Sequence, residues 1–171
     1  MENYLITSEE SYNHWKFFNC VGHNVLDLGC GRYGFVLPFE QYSPIYFGEN
    51  GANKVIGVDG LDSEIEFYQN SVSNEKYKFI TFLVNSGDVI KKFINDYNIT
   101  AIKCDIEGDE RYFSNLSTED MNSIKEMAVE YHSFSMKNMM INKLNEWGFT
   151  IKVDANFQDT VPEMGVLFAN K

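Results

Sequence analysis

A chain of 171 residues is the size of one domain, and 44% hydrophobic with 23% charged residues is a globular rather than a disordered balance. The formal net charge of −11 repels nucleic acid and anionic membrane surfaces, which argues against either as a partner. There is no run of about 18 apolar residues and no basic-then-apolar leader, so neither a membrane span nor a signal peptide is expected, and a cytoplasmic location follows by default.

In chain order, residues 1–23 read as an N-terminal arm and residues 24–171 as the core of a single domain. The arm carries Tyr4, Tyr12, His14, Trp15, Phe17 and Phe18. It suits either a helix packed on the core through Trp15 and Phe18, or a lid that closes over a site. Strand-like runs follow at Asn24–Leu28, Lys54–Asp59, Lys78–Val84 and Thr100–Ile106, with another inside Ser123–Tyr131. Helices are expected between them, over Tyr33–Phe47, Asp62–Val72, Asp88–Tyr97 and Asp109–Leu116. A further helix over Ser135–Trp147 stops at Gly148, and residues 149–155 and 165–170 read as two strands with no helix between them.

This alternation implies an α/β fold, Rossmann-like, with a seven-stranded and mostly parallel sheet covered by helices on both faces. The last two strands form an antiparallel edge hairpin, an ending typical of class I methyltransferases. The three cysteines show no CxxC spacing, and a disulfide framework is not expected. Cys30 and Cys104 fall in structured segments, where free thiols behave as small hydrophobes.

The strongest motif is VLDLGCGRYG, residues 25–34. Gly29, Gly31 and Gly34 satisfy GxGxxG after a strand and ahead of an expected helix, and Asp59 ends the second strand where a ribose-binding carboxylate belongs. A dinucleotide and S-adenosylmethionine both fit that pattern. Asp27 separates them, because a carboxylate above the turn opposes a pyrophosphate and favours the ammonium and sulfonium of S-adenosylmethionine. The expected cofactor set is Asp27, the turn Gly29–Cys30–Gly31, and Asp59 on the ribose, with Gly60 and Leu61 beside the adenine. Ser86 and Asp88 either meet the adenine amino group or cap the helix that begins there. Arg32 either meets the cofactor carboxylate or is simply exposed.

The segment IKCDIEGDE, residues 102–110, resembles the K-I-D-x-E-G-x-E motif of FkbM-type methyltransferases. VEYHS (129–133) and GVLFANK (165–171) resemble the next and the closing strand of that family. The resemblance runs from about Val25 to the C-terminus. It implies use of S-adenosylmethionine and O-methylation of a small hydroxyl-bearing acceptor such as a sugar or natural product.

Period-2 alternation puts Lys103, Asp105 and Glu107 on one side of the fourth core strand, and Glu130 and His132 on one side of the fifth. Asp105, Glu107 and His132 are therefore expected to converge at the cofactor edge. Asp105 would hold the cofactor amino group or the acceptor, Glu107 the acceptor or its proton, and His132 would be the general base. The dull alternatives are helix capping for Glu107 and Asp109, and a surface position for His132. Glu110 and Glu130 are expected to be solvated or paired with lysine. The triad could instead hold Mg²⁺ or Mn²⁺, although a metal-free scheme is preferred. An NAD-dependent oxidoreductase and a non-catalytic S-adenosylmethionine-binding module are the rival readings. Nothing in the residues sets the oligomeric state.

Overall fold

A computed structural model describes residues 1–5, 14–32, 34, 36–157 and 163–171. Eight strands form one sheet: β1 (Glu2–Leu5), β2 (Asn24–Leu28), β3 (Lys54–Asp59), β4 (Tyr77–Thr81), β5 (Ala101–Cys104), β6 (Glu126–Tyr131), β7 (Thr150–Asn156) and β8 (Gly165–Asn170). Their order is β1-β7-β8-β6-β5-β2-β3-β4. β8 runs antiparallel to both β6 and β7, and the other pairs are parallel. The helices are α1 (Ser43–Glu49), α2 (Asp62–Ser71), α3 (Gly87–Asp96) and α4 (Phe134–Glu146).

The two sheet faces follow from strand alternation. Along β2, Leu26 and Leu28 join the larger core, which Ile90, Phe93, Met140 and Leu144 of α3 and α4 complete. Val25 points the other way, into a second core with Val55, Ala101, Ala128 and Phe168, covered by Phe47 of α1 and by Trp15 and Phe18 of the arm. The central strands are buried on both faces, as parallel strands are, largely through apolar side chains, with Asp27 and Lys103 among the buried charged exceptions. Cys20, Cys30 and Cys104 are buried free thiols, and burial pushes each of them up. Among the described residues no helix is long and apolar enough to cross a membrane.

Several expected elements change. The arm contributes a strand, because Glu2–Leu5 pairs in parallel with β7 and makes the sheet eight-stranded, with the hairpin one place in from the edge. Trp15 and Phe18 are core residues as expected, but Trp15 sits in a 3₁₀ turn over His14–Phe17 and Phe18 just after it, rather than on a long helix. Tyr12 lies outside the described residues. The helix expected over Tyr33–Phe47 falls partly on undescribed residues, and its described part is helical only as a short 3₁₀ turn at Phe39–Gln41 and as α1. Pro38 and Pro44 explain this: neither donates an N–H, and Pro44 is tolerated only because it opens α1. Residues Asp109–Asn115 are 3₁₀ rather than α-helical.

β4 ends at Thr81, since its only ladder partner, β3, stops at Asp59. β5 ends at Cys104, where β2 turns away after Leu28. Chain order runs outward through β2, β3 and β4, then returns to β5 and β6 on the other side of β2. That reversal leaves a crevice at the carboxyl ends of β2, β3 and β5, the position where open α/β sheets bind ligands.

Candidate active site

The glycine turn sits at this reversal. Gly29 has φ +71°, and a Cβ there would lie 1.5 Å from the Asp105 carbonyl oxygen. The close approach of β2 to β5 therefore requires glycine. Gly29 and Cys30 donate their N–H groups to the Val58 carbonyl, and Gly31 donates to Asp59 Oδ2. Asp59 Oδ1 accepts from the Leu61 N–H, so one carboxylate ties together the ends of β2 and β3.

Beside this turn lies a cleft of about 360 Å³, within the size range of small-molecule sites. Its walls are Gly29, the segment Val58–Leu61, the segment Phe82–Val84, and Ile106, Glu107 and Asp109. Asp59, Gly60 and Leu61, expected around a cofactor, line this cleft. Phe82 and Leu83 are additions: read as strand, they have left the sheet, and Leu83 is 68% exposed on the cleft wall. Leu61, Phe82 and Leu83 give the cleft an apolar rim able to pack on a flat heterocycle.

Other candidates lie off the cleft. The Cys30 side chain is buried in a separate apolar cluster with Tyr42, Ile45 and Tyr68, and its carbonyl accepts from the Tyr68 hydroxyl at 2.8 Å. Ser86 is the N-cap residue of α3 but makes no side-chain cap bond, and Asp88 is exposed in the first turn. Arg32 does not wait for a cofactor carboxylate. Its Nε is 2.9 Å from Glu64 Oε2, and its guanidinium stacks 3.6 Å from the Phe67 ring centre. Burial pushes Glu64 up, but its bonds to Arg32 outweigh that and hold it below the usual range.

Asp27 also departs from expectation. It is 0% exposed, with both carboxylate oxygens engaged by protein side chains. Its Oδ1 lies 3.1 Å from Lys103 Nζ, and its Oδ2 accepts from the Ser43 hydroxyl at 2.7 Å. Lys103 also donates to the Gly29 carbonyl at 2.6 Å and lies 3.9 Å from Asp105 Oδ2. Burial alone would lower the Lys103 ammonium, but Asp27 and Asp105 outweigh it and hold it above the usual range.

The expected convergence of Asp105, Glu107 and His132 is present: one ligand-type atom from each lies within 4.8 Å of the others. His132 Nε2 is 3.8 Å from Asp105 Oδ1 and 3.6 Å from Glu107 Oε2. Glu107 holds φ +55°, and its side chain is 63% exposed at the cleft. Two residues assigned to solvent or lysine belong here instead. Glu110 is 0% exposed, with Oε1 accepting from the Ile106 N–H and lying 3.4 Å from His132 Nδ1. Glu130 Oε1 is 3.9 Å from His132 Nε2. Burial and the neighbouring Asp105 carboxylate push Glu130 well above the usual range. The adjacent Glu110 carboxylate pushes His132 up, against burial.

No family model and no curated protein matches the sequence. Solved structures do match. A putative tRNA (m1A22) methyltransferase from Streptococcus pneumoniae, in complex with S-adenosyl-L-methionine, aligns over 94% of this chain and 72% of its own, at 15% identity and TM-score 0.67. A putative S-adenosylmethionine-dependent methyltransferase from Listeria monocytogenes aligns over 95% and 96%, at 14% identity and TM-score 0.63. Magnesium protoporphyrin IX methyltransferase from Synechocystis, with the same cofactor bound, aligns over 90% and 72%, at 16% identity and TM-score 0.53. The chain has the Rossmann-like α/β fold of these methyltransferases, with the antiparallel β7–β8 pair that ends it.

Proposed function

We propose that the protein is an S-adenosylmethionine-dependent methyltransferase acting on the hydroxyl oxygen of a small acceptor. The observation that carries this is the cleft at the sheet's reversal point, with Asp59 at its floor and Leu61, Phe82 and Leu83 on its rim. That arrangement suits a nucleoside: a carboxylate for ribose hydroxyls and apolar side chains for the base. Solved proteins of this fold that hold S-adenosyl-L-methionine support the choice of nucleoside.

In this reading Asp59 accepts from the ribose, Gly60 and Leu61 flank the adenine, and the Gly29–Gly31 turn lets the cofactor approach backbone. Asp27 acts at one remove, neutralising Lys103, which braces the turn through the Gly29 carbonyl. The acceptor lies on the side of Glu107, Asp105 and His132. In-line displacement at the sulfonium methyl asks mainly for positioning, plus removal of the acceptor proton by a carboxylate or imidazole on that side. The net charge of −11 favours a small acceptor over a nucleic acid, a distinction the fold does not make, since one protein that shares it is a putative tRNA methyltransferase. The FkbM-type resemblance of residues 102–110 points the acceptor toward a sugar or natural-product hydroxyl.

Calorimetric titration with S-adenosylmethionine and NAD(H) side by side tests the reading. Micromolar binding of S-adenosylmethionine, weakened by Asp59→Asn, is expected. Binding of NAD(H) alone would replace it with the oxidoreductase reading. Cofactor binding with no turnover across a hydroxyl acceptor panel would leave a binding module.

A further inference from the structure

Four carboxylates surround one imidazole at the acceptor side of the cleft. Asp105, Glu107 and Glu130 present oxygens to His132 Nε2 at 3.8, 3.6 and 3.9 Å, and Glu110 faces Nδ1 at 3.4 Å. The cation in contact with this group is Lys103, 3.9 Å from Asp105, and it is shared with Asp27 at 3.1 Å. The cluster therefore carries an excess of negative charge in a half-buried place, which protons or a bound cation must offset.

The geometry favours a cation. Separations of 3.6–3.9 Å are too long for hydrogen bonds. The ligand-type atoms of Asp105, Glu107 and His132 lie within 4.8 Å of one another, so small side-chain shifts bring all three onto one ion with bonds of about 2.1 Å. The two nitrogens of His132 are also used differently. Nε2 faces the cluster, while Nδ1 faces the fully buried Glu110, whose Oε1 is anchored by the Ile106 N–H. A ligating histidine characteristically turns its second nitrogen toward such a carboxylate, which sets the tautomer and the ring plane. Asp105 Oδ1, Glu110 Oε2 and His132 Nδ1 are buried without a hydrogen-bond partner among the described residues, and a cation bound at Asp105 relieves the first of these.

We propose that Asp105, Glu107 and His132 bind a divalent cation of the Mn²⁺ type, with Glu110 as the positioning residue for His132. One imidazole with two carboxylates suits Mn²⁺ better than the all-oxygen preference of Mg²⁺. The site extends the methyltransferase reading and rests on it for its purpose. Glu107 lines the cleft, so a cation held there has open positions toward an acceptor, and its ligand class is an oxygen acceptor, a hydroxyl or a neighbouring hydroxyl pair.

Mn²⁺ titrated into the metal-stripped full chain, followed by loss of the free-ion electron paramagnetic resonance signal, reads the site directly. One ion per chain is expected, with affinity at least tenfold weaker in Glu107→Gln and His132→Gln and unchanged in Glu66→Gln, an exposed position on α2. S-adenosylmethionine binding measured in chelator reports the fold of each variant and the methyltransferase reading separately. If the cofactor binds but Mn²⁺ does not, or binds all variants alike as diffuse acidic surface, the cation site is overturned and the function stands. If Mn²⁺ binds as described and the cofactor does not, the function falls and the site survives.

Discussion

Asp27 on β2 and Lys103 on β5 are directly opposed in the sheet and form an ion pair of 3.1 Å with almost no exposure of either side chain. The pair locks the two strands whose ends frame the cleft, and through the Gly29 carbonyl it also locks the turn. Removing one partner leaves an uncompensated buried charge. Lys103→Met is therefore expected to lower unfolding free energy by about 3–5 kcal/mol. Asp27→Asn with Lys103→Met, which removes both charges, should recover much of that loss. Chemical denaturation of the single and double variants measures it, and a double variant no better than the single would assign the loss to packing.

Gly29 and Gly148 both hold positive φ, but only Gly29 is crowded. Gly148→Ala, after α4 and with open space around its Cβ, should lower stability by about 1–2 kcal/mol, the usual penalty for a left-handed alanine. Gly29→Ala must in addition displace the Asp105 carbonyl, which its Cβ would approach to 1.5 Å, and is expected to abolish soluble expression or cofactor binding. Equal melting temperatures for the two variants would mean that the end of β5 yields to the added methyl group.

The legible parts of this chain were those set by local pattern. β2, β3, β5 and β6 are mostly buried and stand out as short, largely apolar runs, and the glycine turn and Asp59 follow from spacing. The convergence of Asp105, Glu107 and His132 was legible because period-2 alternation and strand order suffice to predict it. What stayed hidden depended on partners distant in sequence. β1 is a four-residue, mostly exposed strand whose only signal is its pairing with β7. Asp27 was read toward a cofactor above the turn because nothing local shows that register sets Lys103 beside it. Glu110 and Glu130 looked like ordinary surface acids until the fold buried them around His132. Phe82 and Leu83 were absorbed into a strand, since an apolar run does not announce where its ladder partner ends.

The exposed rim offers a test of cofactor placement that leaves the core alone. Leu83 lines the cleft and contributes to no buried cluster. Leu83→Ala should leave the melting temperature within about a degree, while weakening S-adenosylmethionine roughly fivefold to tenfold by loss of about 1 kcal/mol of apolar contact. Leu83→Asp should weaken it further. Unchanged calorimetric affinity in both variants would move the adenine away from this wall.

Stability at acid pH is expected to turn on Asp120, which does not line the cleft. Its Oδ1 pairs with Lys91 of α3, and its Oδ2 accepts from the backbone N–H and hydroxyl of Ser117, at 3.0 and 2.8 Å. The bond to Lys91, then those to Ser117, push the Asp120 carboxyl down to about 2. In the unfolded chain the same carboxyl titrates near its ordinary value of about 3.9. A folded-state value below the unfolded one means that ionised Asp120 favours the folded state. The contribution is fully present above about pH 4 and is lost as pH falls toward 2. Asp120→Asn should thus be less stable than wild type at pH 6, with a gap that narrows from pH 4 to pH 2 and closes below that. Because the pair with Lys91 is at the surface, salt near 1 M should narrow the gap at pH 6 as well. Denaturant midpoints for both proteins across this pH series measure it, and a gap constant with pH would place the effect in the geometry of the Ser117 turn rather than in charge.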